Sequence, residues 1–218
     1  MKQLFIIANW KSYKNSAEAT QWLKEFSMAK FPPEKIVILS PSFPLLPLLS
    51  NSIKADSLPV ILAAQDISRF DEGAFTGEVN GRLLKDFVSY VIIGHSERRS
   101  TFKEADEMIS EKVRYALING LTPILCVQDE NATIPDGVEL IAYEPVFAIG
   151  TGTPQSPERV EDIAKKLRGD LPARNILYGG SVTPDNVHNF TSLENISGVL
   201  VGSKSLDSNL FTRIIENA

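Results

Sequence analysis

Ala142-Tyr143-Glu144-Pro145-Val146-Phe147-Ala148-Ile149-Gly150-Thr151-Gly152 places one carboxylate at the end of an apolar run and follows it at once with a loop bounded by proline and glycine. Residues 139–143 have the β-rich character of a buried parallel strand, Pro145 blocks its continuation, and Gly150 and Gly152 supply freely rotatable backbone. The segment reads as Glu144 acting as a general base beneath a lid that excludes water from a reactive intermediate. On its own it also fits a solvated glutamate before a glycine turn. Its meaning therefore depends on the rest of the chain.

Working outward, short apolar runs recur at 4–8, 36–39, 60–64, 90–93, 123–127, 175–178 and 198–201, which with 139–143 makes eight. Most are followed by amphipathic stretches, such as 16–29, 103–119, 157–168 and 205–217, and this alternation predicts repeated βα units around a parallel sheet. Ser156-Pro157-Glu158 and Thr183-Pro184-Asp185 each offer a capping hydroxyl, a proline suited to the first helical position and an acid for the positive end of the helix dipole. Periodicity does not separate a closed barrel from an open doubly wound sheet. The barrel is the preferred expectation, because unusual polar residues cluster where the runs end, and a barrel gathers those ends on one face.

The chain has 218 residues, which suits one α/β barrel domain over 1–218, and no linker suggests a division. Net charge is −5, from 22 basic and 27 acidic residues with no basic run, which argues against nucleic acid as a partner. An anionic ligand would have to be held by local donors and one or two cations. Cys126 is the single cysteine, so an intramolecular disulfide is excluded, and its apolar neighbours predict a buried thiol. The apolar run after Lys2 is too short for a signal peptide and no stretch could span a bilayer, so a cytoplasmic location without membrane association is expected.

The run ends carry the chemistry. They read Asn9-Trp10-Lys11, Gly94-His95-Ser96-Glu97-Arg98-Arg99, Glu144, Tyr178-Gly179-Gly180-Ser181 and Val201-Gly202-Ser203. Singly, each has an ordinary explanation as a loop cation, a structural histidine or a turn. Together they supply a base, a polarising imidazole, an ammonium and two backbone donor loops.

On these residues the chain resembles the triosephosphate isomerase family. The resemblance is carried by Ala8-Asn9-Trp10-Lys11, Gly73-Ala74-Phe75-Thr76-Gly77-Glu78, the segment from Gly94 to Arg99, the stretch around Glu144, and Tyr178-Gly179-Gly180-Ser181-Val182, all in family order. It implies a (β/α)8 TIM barrel that interconverts dihydroxyacetone phosphate and glyceraldehyde 3-phosphate in glycolysis and gluconeogenesis, without cofactor or metal. The catalytic set it implies is Asn9, Lys11, His95, Glu97 and Glu144, with Glu144 as base, His95 as a neutral electrophile at a helix start, and Glu97 anchoring Lys11. It further implies phosphate on the backbone of Gly150, Ser181, Gly202 and Ser203. The lid would comprise Pro145, Val146, Phe147, Ala148, Ile149, Thr151 and Gly152, latched by Tyr178 and Ser181, with Ile149 and Leu200 desolvating the base. The Phe75-Thr76-Gly77-Glu78 loop resembles a docking loop and implies a homodimer, with a tetramer of two such dimers as the alternative. A phosphate-binding barrel without turnover, or another phosphosugar isomerase, remains a competing reading of the same fold.

The departures from the family pattern are specific. Phe147 stands where the family has tryptophan, and Asp129 where it has glutamate, so an indole-to-carboxylate tie on the lid is lost from both sides. Gly202-Ser203-Lys204 replaces the usual Gly-Gly-Ala, and a side chain at Ser203 narrows the backbone angles of a donor. Only about ten residues link the fifth run to the sixth, too few for a helix, yet they reach roughly 33 Å against roughly 17 Å for a five-residue strand. A truncated connection between strands five and six is expected, with the short charged segment itself covering the barrel wall.

Overall fold

A computed structural model describes residues 2–145, 153–171 and 173–218. Strands β1 (Leu4–Asn9), β2 (Lys35–Ser40), β3 (Val60–Ala64), β4 (Tyr90–Ile93), β5 (Thr122–Val127), β6 (Leu140–Tyr143), β7 (Asn175–Tyr178) and β8 (Ile196–Val201) close into one barrel in sequence order. Every neighbouring pair is parallel, including β1 with β8.

The two-residue period of a strand sorts its side chains into two cores. Ile7, Ile38, Ala63, Ile92, Ile124, Cys126, Leu140, Ala142, Leu177 and Leu200 fill the barrel interior. Their alternates, among them Ile6, Ala8, Val37, Leu39, Val91, Leu125 and Ile141, join the larger core beneath the helices. The same parity fixes what stands at the carboxyl ends. Two residues past Ile7 is Asn9, and two past Ala142 is Glu144, so both belong to the inward-facing series.

The helices are α1 (Ser16–Phe26), α2 (Leu46–Ala55), α3 (Gly81–Leu84), α4 (Ser96–Thr101), α5 (Asp106–Ile118), α6 (Pro157–Arg168), α7 (Val187–Thr191) and α8 (Ser208–Asn217). Asn15 and Glu18 close a capping box at the start of α1, whose Trp22 and Phe26 pack against Trp10 and Phe211. Ser156 caps α6 by accepting from Arg159 N, as its sequence predicts. Three expectations are corrected. The stretch 103–119 yields α5 only from Asp106, because Lys103 takes a left-handed φ of 58° and separates α5 from α4. Thr183 starts no helix: its N–H donates to Asn186 Oδ1, which makes a local turn and delays α7 to Val187. The stretch 205–217 is broken at Asp207, which caps α8 at Leu210 N.

Between β5 and β6 the connection, residues 128–139, contains no helix. Ala132 and Ile134 pack against the outer core and Val138 is buried in it, so the short crossover covers its own part of the wall. Glu130 ties it to α6, accepting from Arg159 Nη2 at 2.8 Å and Lys166 Nζ at 3.2 Å. Hydrogen bonding, first from its own backbone amide and then from these cations, holds the Glu130 carboxyl down at about 2. Amides of 128–137 should exchange faster than those of β5 and β6, because few apolar contacts oppose local opening. Glu130→Ala should accelerate that exchange without changing it in β5; uniform protection in both proteins would contradict this account.

Candidate active site

The carboxyl ends of the strands open into a cavity of about 370 Å³ lined by Asn9, Lys11, His95, Glu144, Leu200 and the turns at 179–183 and 202–204. Glu144 is 2% exposed and His95 6% exposed. Chain geometry aims both. Glu144 N donates to Val127 O at 2.8 Å, extending the β5–β6 ladder one residue beyond β6. After β4, Gly94 at φ 72° turns the chain inward; a Cβ there would meet Arg99 and Ile109 at 3.2 Å.

His95 then caps α4, with Nδ1 accepting from Glu97 N at 3.2 Å. That bond assigns the ring proton to Nε2, which lies 3.1 Å from Glu144 Oε1. The other carboxylate oxygen accepts from Ser96 N at 2.9 Å. Burial lowers the proton affinity of the imidazole, but the Glu144 charge and hydrogen bond, then the Glu97 charge, outweigh it, and the pKa stands above its ordinary value. The helix start alone would favour the neutral ring; with Glu144 drawn against it, the balance runs the other way. Gly179 makes room for this arrangement, since a Cβ there would lie 2.9 Å from Glu144 Cγ.

Lys11 takes a left-handed φ of 53°, and its Nζ is ion-paired with Glu97 Oε1. Asn9 Oδ1 accepts from Lys11 N at 3.0 Å, which leaves the Asn9 amide NH2 as the donor free to meet a ligand. Gln65 braces the same turn by donating to Lys11 O at 2.8 Å and Ser40 O at 2.9 Å. On the far wall, buried Tyr178 accepts from Gln155 N through its hydroxyl at 3.0 Å, and burial pushes that hydroxyl up to about 12. Cys126 lies beneath Glu144; burial first, and then Glu144, push its thiol well above the ordinary value.

The structure brings Asn9, Lys11, His95, Glu144, Ser181, Leu200, Gly202 and Ser203 to one cavity, with Glu97 reaching it through Lys11. Pro145 follows Glu144 at its edge, while Val146, Phe147, Ala148, Ile149, Gly150, Thr151 and Gly152 lie outside the described residues. Asp129 spends its carboxylate on Asn131 N at 2.7 Å. Sequence reasoning missed Gln65 and the brace behind α4. There Arg98 joins Asp66 at 2.9 Å and Glu104 at 2.7 Å, and buried Lys112 joins both acids. These four lie on separate elements, and only the backbone donor Ser96 N–H has no side-chain signal at all. Among the described residues no cluster of three or more His, Cys, Asp or Glu is placed to hold a metal ion, and no helix is long and apolar enough to cross a membrane.

A buried carboxylate facing an imidazole N–H, with an ammonium and glycine turns at the mouth of a β/α barrel, defines an acid–base enzyme for a small anionic substrate. The sequence matches the family described as Triosephosphate isomerase over residues 4–218. It is 37% identical over 240 residues to Triosephosphate isomerase of Trichodesmium erythraeum, covering 99% of each chain. It is 36% identical over 251 residues to that of Thermus thermophilus, covering 100% of each, and 36% identical over 251 residues to that of Dictyoglomus thermophilum, again covering 100% of each. The chain belongs to the triosephosphate isomerase family. These alignments are longer than its 218 residues, so the relatives carry residues that it lacks.

Proposed function

We propose that this chain interconverts dihydroxyacetone phosphate and glyceraldehyde 3-phosphate, as one catalytic barrel in the cytoplasm, on the route shared by glycolysis and gluconeogenesis. The observation that carries the reading is the buried Glu144 carboxylate set against His95 Nε2 in the cavity that Lys11 enters. Glu144 removes the proton from the carbon beside the carbonyl, and the C–H electron pair becomes the enediolate C=C as the carbonyl pair moves onto oxygen. His95 Nε2–H and the Lys11 ammonium stabilise that oxygen, and Asn9 Nδ2 donates to it. Protonated Glu144 then returns a proton to the neighbouring carbon, while His95 gives its Nε2 proton to the oxyanion and takes the proton of the substrate's own hydroxyl, whose O–H pair becomes the new carbonyl, so one carboxylate serves both directions. In the arrangement described, both Glu144 oxygens already face donors, Ser96 N–H and His95.

The phosphate is taken by backbone N–H groups of Gly150, Ser181, Gly202 and Ser203. The loop from Pro145 to Gly152 closes over the intermediate, with Tyr178 and Ser181 as latch and Leu200 and Ile149 against the base. A coupled assay in both directions without added metal tests the activity: turnover is expected with either triose phosphate, and background turnover with both would contradict it.

The chain acts as a homodimer through the loop containing Phe75. Supporting this, Phe75 is 41% exposed while stacked on Phe70 at 4.2 Å, and Tyr13, near Lys11, is 56% exposed. A tetramer is not required, since residues 128–139 cover the thin part of the wall. Replacing 73–77 by a short polar turn should give monomers of reduced activity. A dilute monomer with full activity would show that the partner does not order the site.

A further inference from the structure

The cavity holds a cation that the reaction above does not use. Lys204 lines it from the 3-10 turn Ser203–Leu206, beside Ser203 and on the turn against which Lys11 lies. We propose that Lys204 is a second phosphate-binding cation, a specificity-determining residue of this chain that takes the substrate's phosphate together with the backbone donors; this rests on the isomerase reading.

Charge accounting carries the argument. Lys11 is paired with Glu97, and Glu144 adds a further negative charge on the floor. Without Lys204 these three leave the mouth one charge negative, on a chain whose net charge is already −5. A phosphate dianion would then enter against repulsion. Lys204 is exposed and makes no ion pair among the described residues, so its charge is not spent on the protein. It restores neutrality at the place where the dianion must bind.

Its position is also fixed. Ser205 is fully buried, its N–H and hydroxyl donate to Gly202 O at 2.8 and 2.7 Å, and its carbonyl accepts from Trp22 Nε1 at 3.1 Å. The backbone that carries Lys204 is thus clamped at both edges, while a flexible four-carbon stem lets the ammonium follow the ligand. The glycine two residues before it admits Lys11: a Cβ on Gly202 would stand 3.3 Å from Lys11 Cε. Both lysines thus line one pocket.

The test uses inorganic phosphate as the probe and Lys204→Ala, Lys204→Arg and Lys54→Ala as variants, Lys54 being an exposed lysine of α2 outside the cavity. Phosphate affinity is measured by calorimetry and by competitive inhibition over a range of ionic strength, alongside KM and kcat for glyceraldehyde 3-phosphate. Lys204→Ala should weaken phosphate binding and raise KM by about three- to tenfold, flatten the salt dependence of both, and affect kcat far less. Lys204→Arg should restore most of the loss, and Lys54→Ala should bind phosphate as the parent does. Parent-like phosphate affinity in Lys204→Ala, or an equal loss in Lys54→Ala, would overturn the proposal. Calorimetry needs no turnover. Lys204-dependent phosphate binding in a protein that fails to isomerise would sink the isomerase reading alone; isomerisation with Lys204-independent binding would sink this inference alone.

Discussion

Glu144→Gln should lower kcat by several powers of ten with only a modest change in KM, because a base that acts in the transition state contributes little to ground-state binding. The local geometry sharpens the expectation. The carboxylate accepts from Ser96 N–H and faces His95 Nε2, whereas a Gln side chain offers one acceptor and one donor. His95 cannot accommodate that donor by switching tautomer without losing the bond from Glu97 N to Nδ1. Glu144→Asp removes this complication: it keeps both acceptors but retracts the base by one methylene, and a loss of about a hundredfold is expected from misplacement alone. Steady-state kinetics of both variants provide the check. A loss confined to KM in either would contradict the assigned role.

Lys11→Ala should damage both parameters, kcat falling and KM rising, with a combined loss in kcat/KM of about a thousandfold or more for a charge that meets both ground state and transition state. Stability should change little. Glu97, the ion-pair partner left behind, has a side chain 47% exposed and is solvated readily. Thermal unfolding alongside the kinetics separates the two effects: a parent-like melting temperature with collapsed turnover is the expected result, and unfolding in parallel with lost activity would assign Lys11 to the fold.

Much of this arrangement was legible in the chain. The continuous apolar runs 4–8 and 139–143 marked buried parallel strands and showed that Asn9 and Glu144 stand at their ends, but a run apolar on both faces does not show which face is inward. Pro157 and Ser156 marked the start of α6 because their signals are local and reinforce one another. Thr183-Pro184 carries the same signals, but the Asn186 side chain competes for the Thr183 amide and a turn wins. The break between α4 and α5 also escaped, since a lysine at positive φ has no sequence mark. What stayed hidden is long-range. Asp66, Arg98, Glu104 and Lys112 look like solvated charges until the barrel closes, and then Glu104 and Lys112 are among the buried residues that brace the segment bearing His95. Removing one partner from such a cluster typically costs about 3–5 kcal/mol, because the charge left behind is buried without its counterion. Lys204 was legible only as a departure from a pattern; the cavity gives it a use.

If Glu144 moves a carbon-bound proton through an enediolate, isomerisation in D2O followed by NMR will show that proton exchanging with solvent. A base that holds the proton between removal and return exchanges it with solvent, so triose phosphate recovered from the reaction should carry solvent deuterium on the carbon beside the carbonyl. The same experiment with Glu144→Gln should show product and label slowed together by several powers of ten. Label that enters at the parent rate in Glu144→Gln would assign the base to another residue and contradict this role for Glu144.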